Sequence, residues 1–123
     1  METHHYFYRC AVFTRKDNII ALADIYQPNK TSELEKWFGV VISLADGQHT
    51  LQELVDYMIK QYDQPPANFE ETLDSVIERL VDGKLIKLSE KKIQLPYYLA
   101  NPIEQLDIEK AKQLMEKDGY TLH

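Results

Sequence analysis

The chain has a single cysteine, Cys10, and its four glycines, Gly39, Gly47, Gly83 and Gly119, are isolated from one another. One cysteine excludes an intrachain disulfide and any metal site built within one chain from cysteines alone. Scattered glycines leave no glycine-rich loop to cradle a phosphate, so no cofactor is expected. No apolar run approaches the ~20 residues that cross a bilayer. Met1–Tyr8 has no basic segment followed by an apolar one, so no secretory signal is expected and the expected compartment is the cytoplasm. Basic residues are the minority, 14 against 20 acidic, for a net charge of −6. That disfavours a surface that coats nucleic acid throughout, while leaving room for a local basic patch. What is present is ordinary for a folded chain: 123 residues, 44% of them hydrophobic, are enough for one domain, 1–123, with a real core.

Hydrophobic periodicity divides the chain. Residues 4–14, rich in aromatic and β-branched types, read as a strand with Tyr6, Tyr8, Cys10 and Val12 on one face and Phe7, Arg9, Ala11 and Phe13 on the other. A polar turn at 15–18 leads to a second strand over 19–26, so 4–26 is expected to be an N-terminal β-hairpin. Pro28–Thr31 breaks the chain, and Ser32 is the expected N-cap of a helix whose apolar positions include Leu34, Trp37, Phe38, Val41 and Ile42. Asp46-Gly47 stops that helix, with Gly47 suited to a left-handed cap. Thr50 and Glu53 have capping-box spacing and open a second helix running through Tyr62. Asn68 opens a third, with Phe69, Leu73, Val76, Ile77 and Leu80 as its buried stripe and Asp82-Gly83 as its end. Residues 84–88 and 93–95 then read as two paired strands. Three helices followed by a hairpin give a winged-helix core over 32–95. A looser apolar pattern from Ile103 to Met115 predicts a C-terminal helix over 103–118. The expected fold class is α+β: a winged helix-turn-helix with an N-terminal β-hairpin and an additional C-terminal helix.

Charge is unevenly placed. The third helix, in the recognition-helix slot, carries Glu70, Glu71, Asp74, Glu78 and Asp82 against Arg79. Inserted into a major groove it would set like charges beside a phosphate every ~1.7 Å of axis. The wing carries Lys84, Lys87, Lys91 and Lys92, which serve either as edge protection or as a basic rim for an acidic peptide or a nucleic-acid backbone. An acidic helix beside a basic strand suits an oriented peptide better than a uniformly negative polymer.

Two segments carry a family likeness: Leu44-Ala45-Asp46-Gly47 followed by Gln48-His49-Thr50-Leu51-Gln52-Glu53-Leu54, and Val81-Asp82-Gly83-Lys84-Leu85-Ile86 before the wing. Together with the hairpin at 4–26 they resemble the PqqD-like family, small winged-helix domains that recognise precursor peptides of ribosomally made, modified natural products. The resemblance implies a leader peptide bound as an added strand between the N-terminal sheet and the third helix, and delivery to a modifying enzyme, often a radical iron–sulfur enzyme. It implies a peptide-binding edge at Tyr6, Tyr8, Cys10 and Val12 and a helical wall at Glu71, Asp74, Ser75, Glu78 and Arg79. The linker at 27–37 is longer than a minimal domain of that kind needs, and the C-terminal helix is additional to it.

Other clusters carry little chemistry. His4 and His5 point to opposite faces of a regular strand, so they cannot both join Cys10 at a metal, and none is expected. Cys10 has no base placed to activate it. Trp37 and Phe38 belong to the apolar stripe, with Trp37 at its edge as an alternative anchor for a partner. Tyr97-Tyr98-Leu99 either joins the C-terminal helix to the core or exposes an aromatic patch for a homodimer. The expectation is therefore a non-enzymatic protein that recognises a peptide or protein. A DNA-binding regulator of winged-helix type and a structural adaptor are the alternatives, and nucleic acid is the disfavoured partner.

Overall fold

In a computed structural model, residues 3–120 are described, apart from the side chain of Pro28. They form a mixed α+β structure with two three-stranded antiparallel sheets. In chain order the strands are β1 (Tyr6–Arg9), β2 (Phe13–Lys16), β3 (Ile19–Asp24), β4 (Gln27–Glu33), β5 (Asp46–Thr50) and β6 (Ile86–Ser89). The helices are α1 (Lys36–Leu44), α2 (Leu51–Ile59), α3 (Phe69–Asp82), α4 (Tyr97–Ala100) and α5 (Ile108–Asp118), with a 3-10 turn at Ile103–Gln105. One sheet has the order β5-β1-β6 and the other β2-β3-β4. Among the described residues no helix is long and apolar enough to cross a membrane.

The expected hairpin at 4–26 is half right. Asp17 and Asn18, with φ of 52° and 67°, make the two-residue turn that joins β2 to β3, with Lys16 opposite Ile19. The strand before it is broken at Cys10–Val12. Its first part, β1, leaves for the other sheet, where Tyr6–Arg9 pairs with Ile86–Ser89. Polar β4 replaces the expected break at Pro28–Thr31. Ser32 caps no helix but lies opposite Leu22, and α1 begins at Lys36. A strand of six polar residues and a proline shows no hydrophobic period. Pairing with β3 makes it a strand, and an edge position tolerates its proline.

α1 packs so closely on β3 that a Cβ on Gly39 would stand 3.0 Å from Ile20 Cβ. Gly47 has the expected positive φ, 78°, but within β5: the helix it was expected to cap ends at Ala45. The chain crosses directly over Gly47, whose carbonyl accepts from Ile93 N at 2.9 Å. That crossing is where the expected wing strand 93–95 goes. Those residues form no hairpin with β6, whose one strand neighbour is β1, and meet β5 at Gly47 instead.

Thr50 and Glu53 form the expected reciprocal capping box. The next N–H groups of α2 are met from outside, Leu51 N by the His5 carbonyl and Gln52 N by that of Thr3. The C-terminal helix expected over 103–118 is divided, because Asp107 accepts from Lys110 N and starts α5 afresh. Two cores result. The larger gathers Phe7, Ile42, Leu54, Leu73, Leu80 and Ile86 between α1–α3 and the β5-β1-β6 sheet. The smaller gathers Val12, Ile25, Tyr98, Leu99, Ala111 and Met115 between the β2–β3 region, α4 and α5.

Candidate functional site

An added peptide strand needs unpaired backbone groups along an edge. β1 offers none: Tyr6 lies between Thr50 and Ser89, and Tyr8 between Asp46 and Lys87. Cys10 follows in the connector, its N–H donating to the Leu85 carbonyl and its carbonyl accepting from Tyr120 Oη at 2.6 Å. Val12 is 1% exposed in the smaller core, and its carbonyl accepts from Ala23 N. The edge expected at Tyr6, Tyr8, Cys10 and Val12 is therefore closed, because two strands distant in sequence, β5 and β6, saturate it.

The helical wall fares differently. Glu71, Ser75 and Arg79 recur at intervals of four on α3, so they share one stripe, with Asn68, Thr72 and Val76 beside it. Across from them stand Glu35, Lys36, Trp37 and Phe38, at the start of α1. Together they enclose an open groove of about 610 Å³. Asp74 is turned away from it, into a smaller cavity of about 230 Å³ with Gln52 and Glu70. Glu78 is exposed and lines neither cavity.

Trp37 is held firmly in the groove. Its Nε1 donates to Tyr62 Oη at 2.8 Å and its ring lies 5.1 Å from that of Phe69. Opposite charges stand on both lips, Glu35 and Lys36 on one and Glu71 and Arg79 on the other. None of the four is ion-paired with another described residue. β4 runs directly into the first lip, and as the outer strand of its sheet it keeps one side unpaired. The sequence offered one signal for this lip, adjacent Trp37 and Phe38 at the edge of an apolar stripe. It offered none for β4.

Of the four lysines, Lys84 and Lys87 line a separate cavity of about 510 Å³, while Lys91 and Lys92 lie exposed after β6, outside that lining.

Periodicity also gave no sign of Arg9, which is 3% exposed. Its Nε donates to the Leu99 carbonyl at 2.6 Å and its two terminal nitrogens to those of Ile42, Ser43 and Ala100 at 2.9, 3.2 and 2.9 Å. One cation thereby closes the C-terminal ends of α1 and α4, where helix carbonyls lack partners. Burial lowers its pKa to about 10, with Asp46 acting in the opposite direction, so it remains charged at neutral pH. Burial likewise raises the pKa of the Cys10 thiol, against the pull of Lys87, and raises that of Tyr120 to about 12. Both groups are neutral at pH 7, and Cys10 is a poor nucleophile there. Among the described residues no group of three His, Cys, Asp or Glu side chains could hold a metal ion. Comparison with protein-family models, curated proteins and solved structures returns no match.

Proposed function

We propose that this chain is a non-catalytic recognition domain that takes an extended peptide or protein segment into the groove between α1 and α3. The observation that carries this reading is the groove itself. It has an aromatic lip at Trp37 and Phe38, with Trp37 held by Tyr62, and facing charges of both signs that form no ion pair among the described residues. An apolar residue of a guest flanked by a cation and an anion would match it, and the open side of β4 adds backbone hydrogen bonds at its mouth.

The order α1-β5-α2-α3-β6 supports a winged-helix variant in which β1 takes the place of the wing's return strand. The likeness to the PqqD-like family then makes a precursor peptide the guest, a modifying enzyme the onward partner and the cytoplasm the setting. The exposed acids of α3 weigh against duplex DNA, whose binding would show a steep loss with salt.

Selection from a displayed random-peptide library tests the reading. Wild-type protein should enrich segments with an aromatic or aliphatic residue between opposite charges, and these should shift backbone amides at 35–38 and 68–79. The double variant Glu71→Lys/Arg79→Glu should enrich the inverted charge order. No enrichment, or enrichment indifferent to the swap, overturns it.

A further inference from the structure

The cavity of about 510 Å³ lies beside the smaller core, which supplies Leu95, Leu99 and Tyr120 to its lining, and it shares no lining residue with the peptide groove. It has the volume of a small-molecule site. Its sides are Ile93, Leu95 and Leu99, and Tyr120 closes one end with its hydroxyl spent on the Cys10 carbonyl. Every charged residue in its lining is a cation: Arg9, Lys84 and Lys87. That is unusual in a chain of net charge −6. Arg9 adds a fixed positive charge whose four hydrogen bonds all go to neutral carbonyls, with the carboxylate of Asp46, which is not in the lining, near enough to act on it. Lys84 and Lys87 are exposed and have no ion-pair partner among the described residues, so their ammonium groups are available to a ligand.

From this pairing of apolar sides with an all-cationic rim we propose that the cavity binds a small amphiphilic carboxylate, its apolar body against Ile93, Leu95 and Leu99 and its head between Lys84 and Lys87. A neutral analogue would forfeit the charge-assisted contacts, and a cationic one would be repelled.

Octanoate, octanol and octylammonium are the probes, and Cys10 is the reporter because it lines the cavity and is the single thiol. Octanoate should protect Cys10 from a neutral methanethiosulfonate reagent along a saturable curve and shift the amides of Lys84, Lys87, Ile93 and Tyr120. Octanol should bind about tenfold more weakly, and octylammonium should give no protection. In the variant Lys84→Gln/Lys87→Gln, octanoate should lose most of its advantage over octanol, with only the charge of Arg9 left to favour the anion. Both substitutions are on exposed side chains, so the fold is retained. Absence of protection by octanoate, equal binding of octanoate and octanol to wild type, or octanoate shifts confined to the α1–α3 groove would each overturn the proposal.

Discussion

The larger and smaller cores are held together by different means. Around Phe7, Leu73 and Leu80, three amphipathic helices supply most of the buried residues, and apart from Trp37 to Tyr62 their side-chain hydrogen bonds stay within four positions. Around Ile25, Tyr98 and Met115, a single helix of 11 residues, α5, joins the four-residue α4 and a 3-10 turn, and side chains bond to distant backbone or to one another. Tyr120 reaches the Cys10 carbonyl, Tyr97 Oη accepts from Asp107 N, Tyr98 Oη donates to Asp118, and Glu104 accepts from Thr14 Oγ1 and Arg15 N. Arg9 touches both regions, with two bonds into α1 and two into α4. Where elements such as α4 and the 3-10 turn are too short to bury much apolar area, specific polar contacts fix their positions, and such contacts fail one at a time.

The most damaging way to break the comparison is to remove its joint. Arg9→Met removes the donor from the Ser43, Leu99 and Ala100 carbonyls, leaves that of Ile42 with Ala45 N alone, and should cost about 3–5 kcal/mol, a large share of a domain's stability. Trp37 fluorescence reports the larger core, and amide exchange at residues 97–118 reports the smaller. The smaller core should lose protection at lower urea than the larger. A single coincident transition would show that the two cores are one cooperative unit and that the distinction is only geometric.

Gly47→Ala should come next, at about 3 kcal/mol. Its φ of 78° is costly for a residue with a side chain, and the new Cβ would stand 2.3 Å from the Ile93 carbonyl oxygen. Gly119→Ala is the control. It has a similar φ, 66°, but nothing within 4 Å, so about 1 kcal/mol is expected. Equal urea midpoints for the two variants would mean that the 90–95 segment yields readily, and its crossing would then not brace β5.

How far these features can be read from sequence follows the same division. The capping box at Thr50 and the buried stripe of α3 are local patterns, and they appear as expected. The central placement of β1 depends on pairing with distant β5 and β6, which leaves no local trace, while β4 pairs with its sequence neighbour β3 but its residues carry no hydrophobic period. The tyrosine face of β1 has the look of an open edge until β5 and β6 are both in place. The groove was half legible: Glu71, Ser75 and Arg79 share a stripe by helical spacing, but their opposite lip exists only because β4 delays the start of α1 to Lys36. Arg9 was illegible because its meaning is set by carbonyls of α1 and α4, more than thirty positions away.

Met115→Ala probes the smaller core without touching its polar contacts. Met115 is 1% exposed, and its truncation should cost about 2–3 kcal/mol. The loss should appear as faster exchange in α4 and α5, with α2 and α3 nearly unchanged. Acceleration spread evenly over all helices would remove the independence of the two regions.

Glu104 gives the smallest effect and the most specific one, because it ties the 3-10 turn to β2. Burial disfavours its charged form, but the hydrogen bonds from Thr14 and the Arg15 N–H, with the help of its own N–H and of Lys16, outweigh that and hold its carboxyl below the ordinary value of 4.5. A depressed carboxyl stabilises the fold above its unfolded pKa and loses that contribution as pH falls through the folded one. The side chain is exposed, so solvent screening keeps the contribution under about 1 kcal/mol. Glu104→Gln should therefore lower the urea midpoint slightly at pH 7, and the gap from wild type should close as the pH drops below 4.5. A gap that persists unchanged in acid would assign the effect to the amide's geometry instead of the lost charge. In that case the polar contacts of the smaller core would act by shape, as the helices of the larger one do.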